Sequence, residues 1–342
     1  VSAAIPQPGA TAAGIAQESD QKSKAHIAPK VRAEPPYLRL EKHYCPFFMR
    51  QHPVLLITGA RGQLGRCFEA LSRQYPQWTF LLAGSEVLDI ADRRAVRRFW
   101  EKHRPDWCLN CAAYTAVDRA ESEAEQARRV NAAGPRHLAE ACAQTGGALI
   151  HFSTDYVYHG RHYLPIREDA ATRPRSVYAR TKLAGDRAVL RYCPTGGMII
   201  RTSWLYSPYG HNFAHTIARL GRERPELRVV FDQIGTPTYA PHLAEAVLRI
   251  IERTHGKHTY NGVAGIWHYS NEGVCSWYDF AQTIADLKQL PCRITPIRSE
   301  EYPTAAVRPP FSVLDKAKIK AAFALEIPHW RRGVEQWATQ TV

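Results

Sequence analysis

The chain is short of several things, and each shortage removes a class of reading. No apolar run approaches the ~20 residues that cross a bilayer as a helix, so no membrane partner is expected. Acid is scarce: 32 Asp and Glu stand against 45 Lys and Arg, a net charge of +13. That balance suits an anionic ligand, a nucleic acid or an acidic surface without choosing among them. The basic residues are scattered through amphipathic segments such as Arg93-Arg94-Ala95-Val96-Arg97-Arg98, which read as solvated helix faces. No aromatic-interleaved basic stripe is visible, so no nucleic-acid partner is expected. Only two of the eight cysteines, Cys108 and Cys111, have CxxC spacing. They lie in a strand-like apolar run with no second Cys/His pair nearby, so buried thiols are expected and no metal site. Methionine occurs only twice. Met49 stands just before the first strand, after 48 residues rich in Ala, Pro, Gln and Lys with no periodicity and no secretory signal pattern. Residues 1–48 are expected to be a disordered extension, Met49 the natural start, and the protein cytoplasmic.

What is present is a regular alternation of strand and helix. Residues 54–58 form an apolar strand that runs into Gly59-Ala60-Arg61-Gly62-Gln63-Leu64-Gly65 and then an amphipathic helix. Glycines at this spacing allow a tight turn, close backbone approach to a pyrophosphate and close helix–sheet packing. The next strand, 79–83, ends in Gly84-Ser85 with no carboxylate where a ribose 2′-hydroxyl would need one. Glu86 lies further on, and Arg61 is in the turn. This favours NADP(H) over NAD(H). Asp89, before the helix 93–103, reads equally as a ligand of the adenine amine or as a helix cap. Ala112 and Ala113, after the strand from Trp107, leave room for a flat cofactor. Asn131 reads as a cap or interstrand bond for the helix that follows it.

The strand 148–152 closes on Ser153-Thr154-Asp155. About 20 residues later, Tyr178 and Lys182 stand four apart in a helical segment, on one face. A fixed ammonium beside a phenol is expected to pull its pKa down toward neutrality. With the Thr154 hydroxyl, the pair offers a proton donor and a clamp on a ketone oxygen, as hydride reduction of a carbonyl requires. Every motif so far falls at a strand's carboxyl end, where open α/β sheets bind ligands. The expected fold is α/β: a Rossmann-type doubly wound parallel sheet with a smaller mixed α/β substrate domain. Residues 49–206 with about 228–255 are expected in the cofactor domain, and about 207–227 with 256–342 in the substrate domain, the two interleaved.

From Gly59 onward the chain resembles the extended short-chain dehydrogenase/reductases, and within them the dTDP-4-dehydrorhamnose reductase family. The stretches that carry the likeness include Gly62-Gln63-Leu64-Gly65, Asn110-Cys111-Ala112-Ala113-Tyr114-Thr115-Ala116-Val117-Asp118 and Ser153-Thr154-Asp155-Tyr156-Val157. Others are Tyr178-Ala179-Arg180-Thr181-Lys182, Arg201-Thr202-Ser203-Trp204, Asp232-Gln233-Ile234-Gly235-Thr236-Pro237-Thr238 and Arg308-Pro309. The resemblance implies Tyr178 as proton donor, Lys182 as its activator and ribose anchor, and Thr154 as the hydroxyl on the keto oxygen. It implies Gly59, Gly62, Gln63, Leu64, Gly65, Asp89, Ile90, Ala112, Ala113, Tyr114, Tyr178 and Lys182 at NADPH, with NADH also open. Thr154, Asp155 and Trp204 would meet the nucleotide sugar. Arg308 reads either as a pyrophosphate ligand or as an interdomain residue, and Trp204 has core packing as its plain alternative. The implied reaction is reduction of dTDP-4-dehydro-β-L-rhamnose at C4. Related dehydratases place an Asp-Glu pair after the Thr; Asp155-Tyr156 here favours simple ketone reduction. Tyr158-His159, Ala179 and Asp186 depart from the usual family residues. Some relatives need magnesium at a dimer contact; a homodimer is open to this chain, and no residues for the metal can be placed. The alternatives are a reductase or epimerase of another nucleotide sugar, and a non-catalytic subunit like the β subunit of methionine adenosyltransferase.

Overall fold

The computed structural model describes residues 50–160, 163–256 and 262–340. The expectations for residues 1–48 and for Met49 as the start lie outside these. The first half builds five strands in a strict alternation with helices. They are β1 (Val54–Thr58), α1 (Gln63–Ser72), β2 (Thr79–Ala83), α2 (Arg93–His103) and β3 (Trp107–Asn110), then α3 (Ala124–Arg128) and α4 (Gly134–Thr145). β4 (Ala148–Thr154), α5 (Val177–Tyr192) and β5 (Gly197–Thr202) complete the run. The chain continues through β6 (Leu205–Tyr206), α6 (Phe213–Glu223), β7 (Glu226–Val230), β8 (Ile234–Gly235), β9 (Thr238–Tyr239) and α7 (Ala240–Thr254). It ends with β10 (Gly265–His268), β11 (Cys275–Ser276), α8 (Trp277–Leu287), β12 (Arg293–Ile297), α9 (Ala317–Phe323) and α10 (Trp330–Thr339). No helix among the described residues is long and apolar enough to cross a membrane.

Six strands pair in parallel in the order β10-β5-β4-β3-β1-β2. Both faces are apolar because helices cover both. Ile57, Leu109 and Ile150 point into one core with residues of α1, α7 and α9. Leu56, Cys108 and Leu149, one residue earlier on each strand, point into another with α2, α4 and α5. Cys108 is buried among these residues, Cys111 packs against the opposite core, and the seven cysteines among the described residues are all free thiols.

A further core joins α6, α8, α10, β7 and β12. β7 pairs with β12 rather than with the large sheet. β10, from the segment expected on the substrate side, is that sheet's edge strand. A short sequence of four apolar or aromatic residues, Gly-Ile-Trp-His, gives no period that could have assigned it.

Candidate functional site

The glycine turn is built against the exit of β3. Gly59 is left-handed, at φ 62°, and a Cβ there would stand 2.6 Å from the Ala112 backbone nitrogen. A Cβ on Gly65 would stand 2.5 Å from the Gly59 carbonyl oxygen, so turn, helix and strand touch through backbone alone. Gly62 is the N-cap of α1 and brings no side-chain cap, which leaves the first N–H groups of that helix for an anion. This cradle fits a dinucleotide pyrophosphate. Leu64 and Ile90 are core residues, so only their backbones can face a cofactor. Gln63 spends its side chain elsewhere: Oε1 accepts from Ser207 Oγ at 3.1 Å and Asn212 Nδ2 at 3.0 Å, tying the turn to the cap of α6.

Next to the turn, three register-matched residues form a buried polar row across β1, β3 and β4. Thr58 Oγ1 donates to Asn110 Oδ1 at 2.8 Å, and Asn110 Nδ2 donates to His151 Nδ1 at 3.0 Å. His151 Nε2 then lies 3.3 Å from Lys182 Nζ, which donates to the Phe152 carbonyl at 2.6 Å. Lys182 belongs to α5, which Ser176 caps by accepting from the Ala179 N–H. α5 can approach closely because Gly185 sits directly against the Asn131 carbonyl.

One turn above Lys182, the Tyr178 hydroxyl lies close enough to that of Thr154, at the end of β4, to feel it electrostatically. Tyr156 packs edge-on to Tyr178, with ring centroids 5.8 Å apart. The expected lowering of the phenol pKa is not what the structure gives. Burial pushes Tyr178 up to about 12, the carboxylates of Asp155 and Asp186 push the same way, and only the Thr154 hydroxyl opposes them. Burial also brings Lys182 down to about 8, against the pull of Asp186. The physical reason is that the ammonium is engaged below the phenol, on Phe152 and beside His151. Asp155 Oδ1, next to Thr154, accepts from that residue's hydroxyl at 3.0 Å, and burial raises its carboxyl to about 6.

The remaining expected residues surround this cluster. Thr202, in register with Thr154, leads into Trp204, whose backbone is left-handed at φ 47°. Trp204 stacks on Trp277 at 3.7 Å and covers Gly235, so packing accounts for one face of its ring. Arg308 forms a two-pronged pair with Asp118 at 2.7 and 3.1 Å, and the Ala306 N–H joins the same carboxylate. Asp89 is not a helix cap: its Oδ1 accepts from Ala91, while Asp92 caps α2. Glu86, though beyond the expected place, folds back over Gly84 and pairs with Arg61 at 2.8 Å. A carboxylate therefore does stand at the end of β2, and the Arg that favoured NADP(H) is held by it. The Tyr114 phenol donates to Glu123.

Asn131 is neither the cap of the helix that follows nor an interstrand bond. It sits in a π turn, Arg129–Ala133, where its side chain donates to and accepts from the Tyr114 backbone and reaches Thr181. A π turn in mid-helix is a signal of function, but no residue pattern announces one. Among the described residues, no group of three His, Cys, Asp or Glu side chains could hold a metal ion. A cavity of about 790 Å³ between α2 and α4, lined by Arg93, Arg97 and Trp100 among others, shares none of the residues above.

The chain from residue 53 to 342 matches the family model described as RmlD substrate binding domain. It is 43% identical over 288 residues to a dTDP-4-dehydrorhamnose reductase of Streptomyces griseus, covering 83% of this chain and 92% of that one. It is 37% identical over 282 residues to a dTDP-4-keto-6-deoxy-D-glucose reductase of Streptomyces niveus, covering 82% and 95%. A crystal structure of dTDP-4-dehydrorhamnose reductase from Bacillus anthracis in complex with NADP superposes with a TM-score of 0.79 at 34% identity, over 85% of this chain and all of that one.

Proposed function

The chain belongs to the RmlD substrate binding domain family, and from that premise we propose that it reduces the C4 ketone of dTDP-4-dehydro-β-L-rhamnose with NADPH, giving dTDP-L-rhamnose. The observation that carries this reading is the neighbouring hydroxyls of Thr154 and Tyr178 above a buried lysine, which a polar row links to Thr58, the residue before the glycine turn. The bound dinucleotide supplies a hydride. Thr154, turning its proton from Asp155, and Tyr178 hold the ketone oxygen between two donors, and Tyr178 transfers its proton as that oxygen becomes an alkoxide. A phenol raised to about 12 is fully protonated at neutral pH, hence loaded as the acid. The alkoxide is the stronger base, so the proton moves downhill. Lys182 then offsets the charge of the phenolate.

Gly59, Gly62 and Gly65 hold the pyrophosphate, with the backbones of Gln63, Leu64, Ile90, Ala112, Ala113 and Tyr114 along the cofactor and Asp89 at the adenine. Asp155 and the free edge of Trp204 meet the sugar nucleotide. Arg308 reaches the substrate diphosphate by exchanging its Asp118 partner for phosphate oxygens. The large sheet with its helices serves the cofactor and the α6–α8–α10 cluster serves the substrate.

The test is to incubate the protein with NADPH and a panel of 4-keto nucleotide sugars and follow the loss of NADPH absorbance. Fastest loss with dTDP-4-dehydro-β-L-rhamnose is the expected result; loss with no sugar would overturn the reading and favour a non-catalytic subunit. The similarity to a dTDP-4-keto-6-deoxy-D-glucose reductase supports a second reading with the same chemistry on another epimer. The same panel separates the two.

A further inference from the structure

On α5 the residues Tyr178, Lys182 and Asp186 recur every four positions, so they form one stripe along the helix. The first two are the proton donor and its activator. The third is as deeply buried as the second, and nothing in the reaction scheme uses it.

Its surroundings are ordered by the sheet beneath. Arg201 of β5 binds a single oxygen of Asp186, Oδ2, through Nε and Nη2, each at 3.0 Å. Arg201 is itself held by Tyr158, whose hydroxyl receives Nη1 at 2.6 Å and meets His268 Nε2 at 2.9 Å. His268 stands beside Arg201 in register on β10. The other oxygen, Oδ1, is buried with no partner in hydrogen-bond geometry. It lies 3.9 Å from His151 Nε2, the same nitrogen that sits 3.3 Å from Lys182 Nζ.

Burial and the nearby Lys182 keep His151 well below the usual histidine range, so it is neutral. It borders both Asp186 Oδ1 and Lys182 Nζ without adding a charge.

We propose that Asp186 is a positioning residue for the reaction, its buried carboxylate beside neutral His151 supplying the counter-charge that keeps the Lys182 amine cationic. The proposal rests on the reading of Lys182 as the activator of Tyr178. Two opposed tendencies meet at Lys182: burial drives its proton off, and Asp186 is the charged group that draws it back. Arg201, in turn, opposes the burial that would protonate Asp186. The charged and titratable groups around the pair are Tyr178 on α5, Asp155 above it, His151 on β4, and Arg201 with Tyr158 and His268 behind it. Ser153 Oγ lies close enough to favour the Asp186 carboxylate, short of hydrogen-bond geometry. From α4 and the π turn, Gly185 meets the Asn131 carbonyl and Pro135.

The experiment is a carbon-13 titration of lysine side chains in the full-length protein, with and without NADPH, the Lys182 resonance being assigned by its loss in Lys182→Met. In Asp186→Asn the Lys182 pKa is expected to fall by about one unit or more, the usual size of losing a close counter-charge. The alkaline limb of the turnover–pH profile should move down with it. Asp186→Glu keeps the charge and reaches one methylene further toward His151; Lys182 should hold or exceed its wild-type value. An unmoved Lys182 in the Asn variant, or a fall of a unit in the Glu variant, overturns the proposal. A merely structural role would lower the melting temperature and leave both the pKa and the pH limb in place. Should the Asn variant not fold, the Glu variant alone decides by the direction of its shift. The titration needs no sugar, so a wild-type protein that reduces no 4-keto substrate would refute the proposed function while leaving this test intact.

Discussion

The floor of the site and its rim are both polar, yet they are built oppositely. On the floor, Thr58, Asn110, His151, Lys182, Asp186 and Arg201 are each at most 2% exposed, and each is engaged with a register neighbour or with α5. At the rim, Arg61 is 79% exposed and Glu86 43%, and Asp118 and Arg308 are 45% and 23% exposed. Buried pairs are rigid and strongly coupled, because neither water nor salt screens them and removing one member strands the other. Exposed pairs are worth little and exchange readily. The floor therefore sets proton affinities, and the rim holds cations that can change partners when phosphates arrive. Six substitutions at four places, from the largest expected effect to the smallest, test that division.

Tyr178→Phe removes the acid and leaves the floor in place. Turnover should drop by at least ~100-fold, the usual contribution of a general acid, while NADPH affinity measured by fluorescence changes little. Turnover near wild type would mean that the proton comes from elsewhere.

Asp155→Asn asks what a buried carboxylate costs. Its folded pKa is raised from 3.8 to about 6 by burial. A raised acid favours the protonated folded form, so this stability is fully present below about 4 and lost as pH rises through about 6. At neutral pH the ionised group costs at most about 3 kcal/mol. The Asn variant should be more stable to urea at pH 7, by about 1–3 kcal/mol, and the gain should vanish near pH 4. A variant no more stable at pH 7 would show that the Thr154 bond repays the cost.

Arg308 and Asp118 separate an exchangeable cation from a fixed pin. If Arg308 serves the substrate, Arg308→Met should raise KM by about tenfold, the worth of one charge-assisted contact, with kcat within a few-fold. Asp118→Asn should then lower KM by releasing the guanidinium. A pin between the two loops would make both variants fail in the same direction.

These residues also show how much could be read before folding. The glycine turn, Thr154 and the Tyr178–Lys182 pair were legible because their chemistry is local: a turn, a strand end and one helical face. Asp118 and Arg308 are 190 positions apart, and the row from Thr58 to His151 exists only once three strands are in register. The phenol pKa is out of reach of spacing for the same reason. Spacing places Lys182 beside Tyr178, whereas its amine is committed downward to Phe152 and burial dominates. Trp204 was legible as a motif, but its stacking partner, Trp277, comes from a helix 73 positions on.

The smallest effect belongs to the residue pair that spacing misread most plainly. Glu86 lies two positions beyond the expected acid, yet its carboxylate comes back over Gly84 and binds Arg61. With NADPH, the 2′-phosphate competes for Arg61 and meets Glu86 as a like charge; with NADH, Glu86 can accept from the ribose hydroxyl. An exposed pair of this kind is worth under about 1 kcal/mol, so Glu86→Gln should shift the NADPH-to-NADH ratio of kcat/KM by only a few-fold, toward NADPH. Arg61→Ala should shift it the other way. Raising salt should shrink both shifts, because the groups are open to solvent. A salt-independent change of a hundredfold would place this pair with the floor, and the division of the site into a rigid base and an exchangeable rim would fail there first.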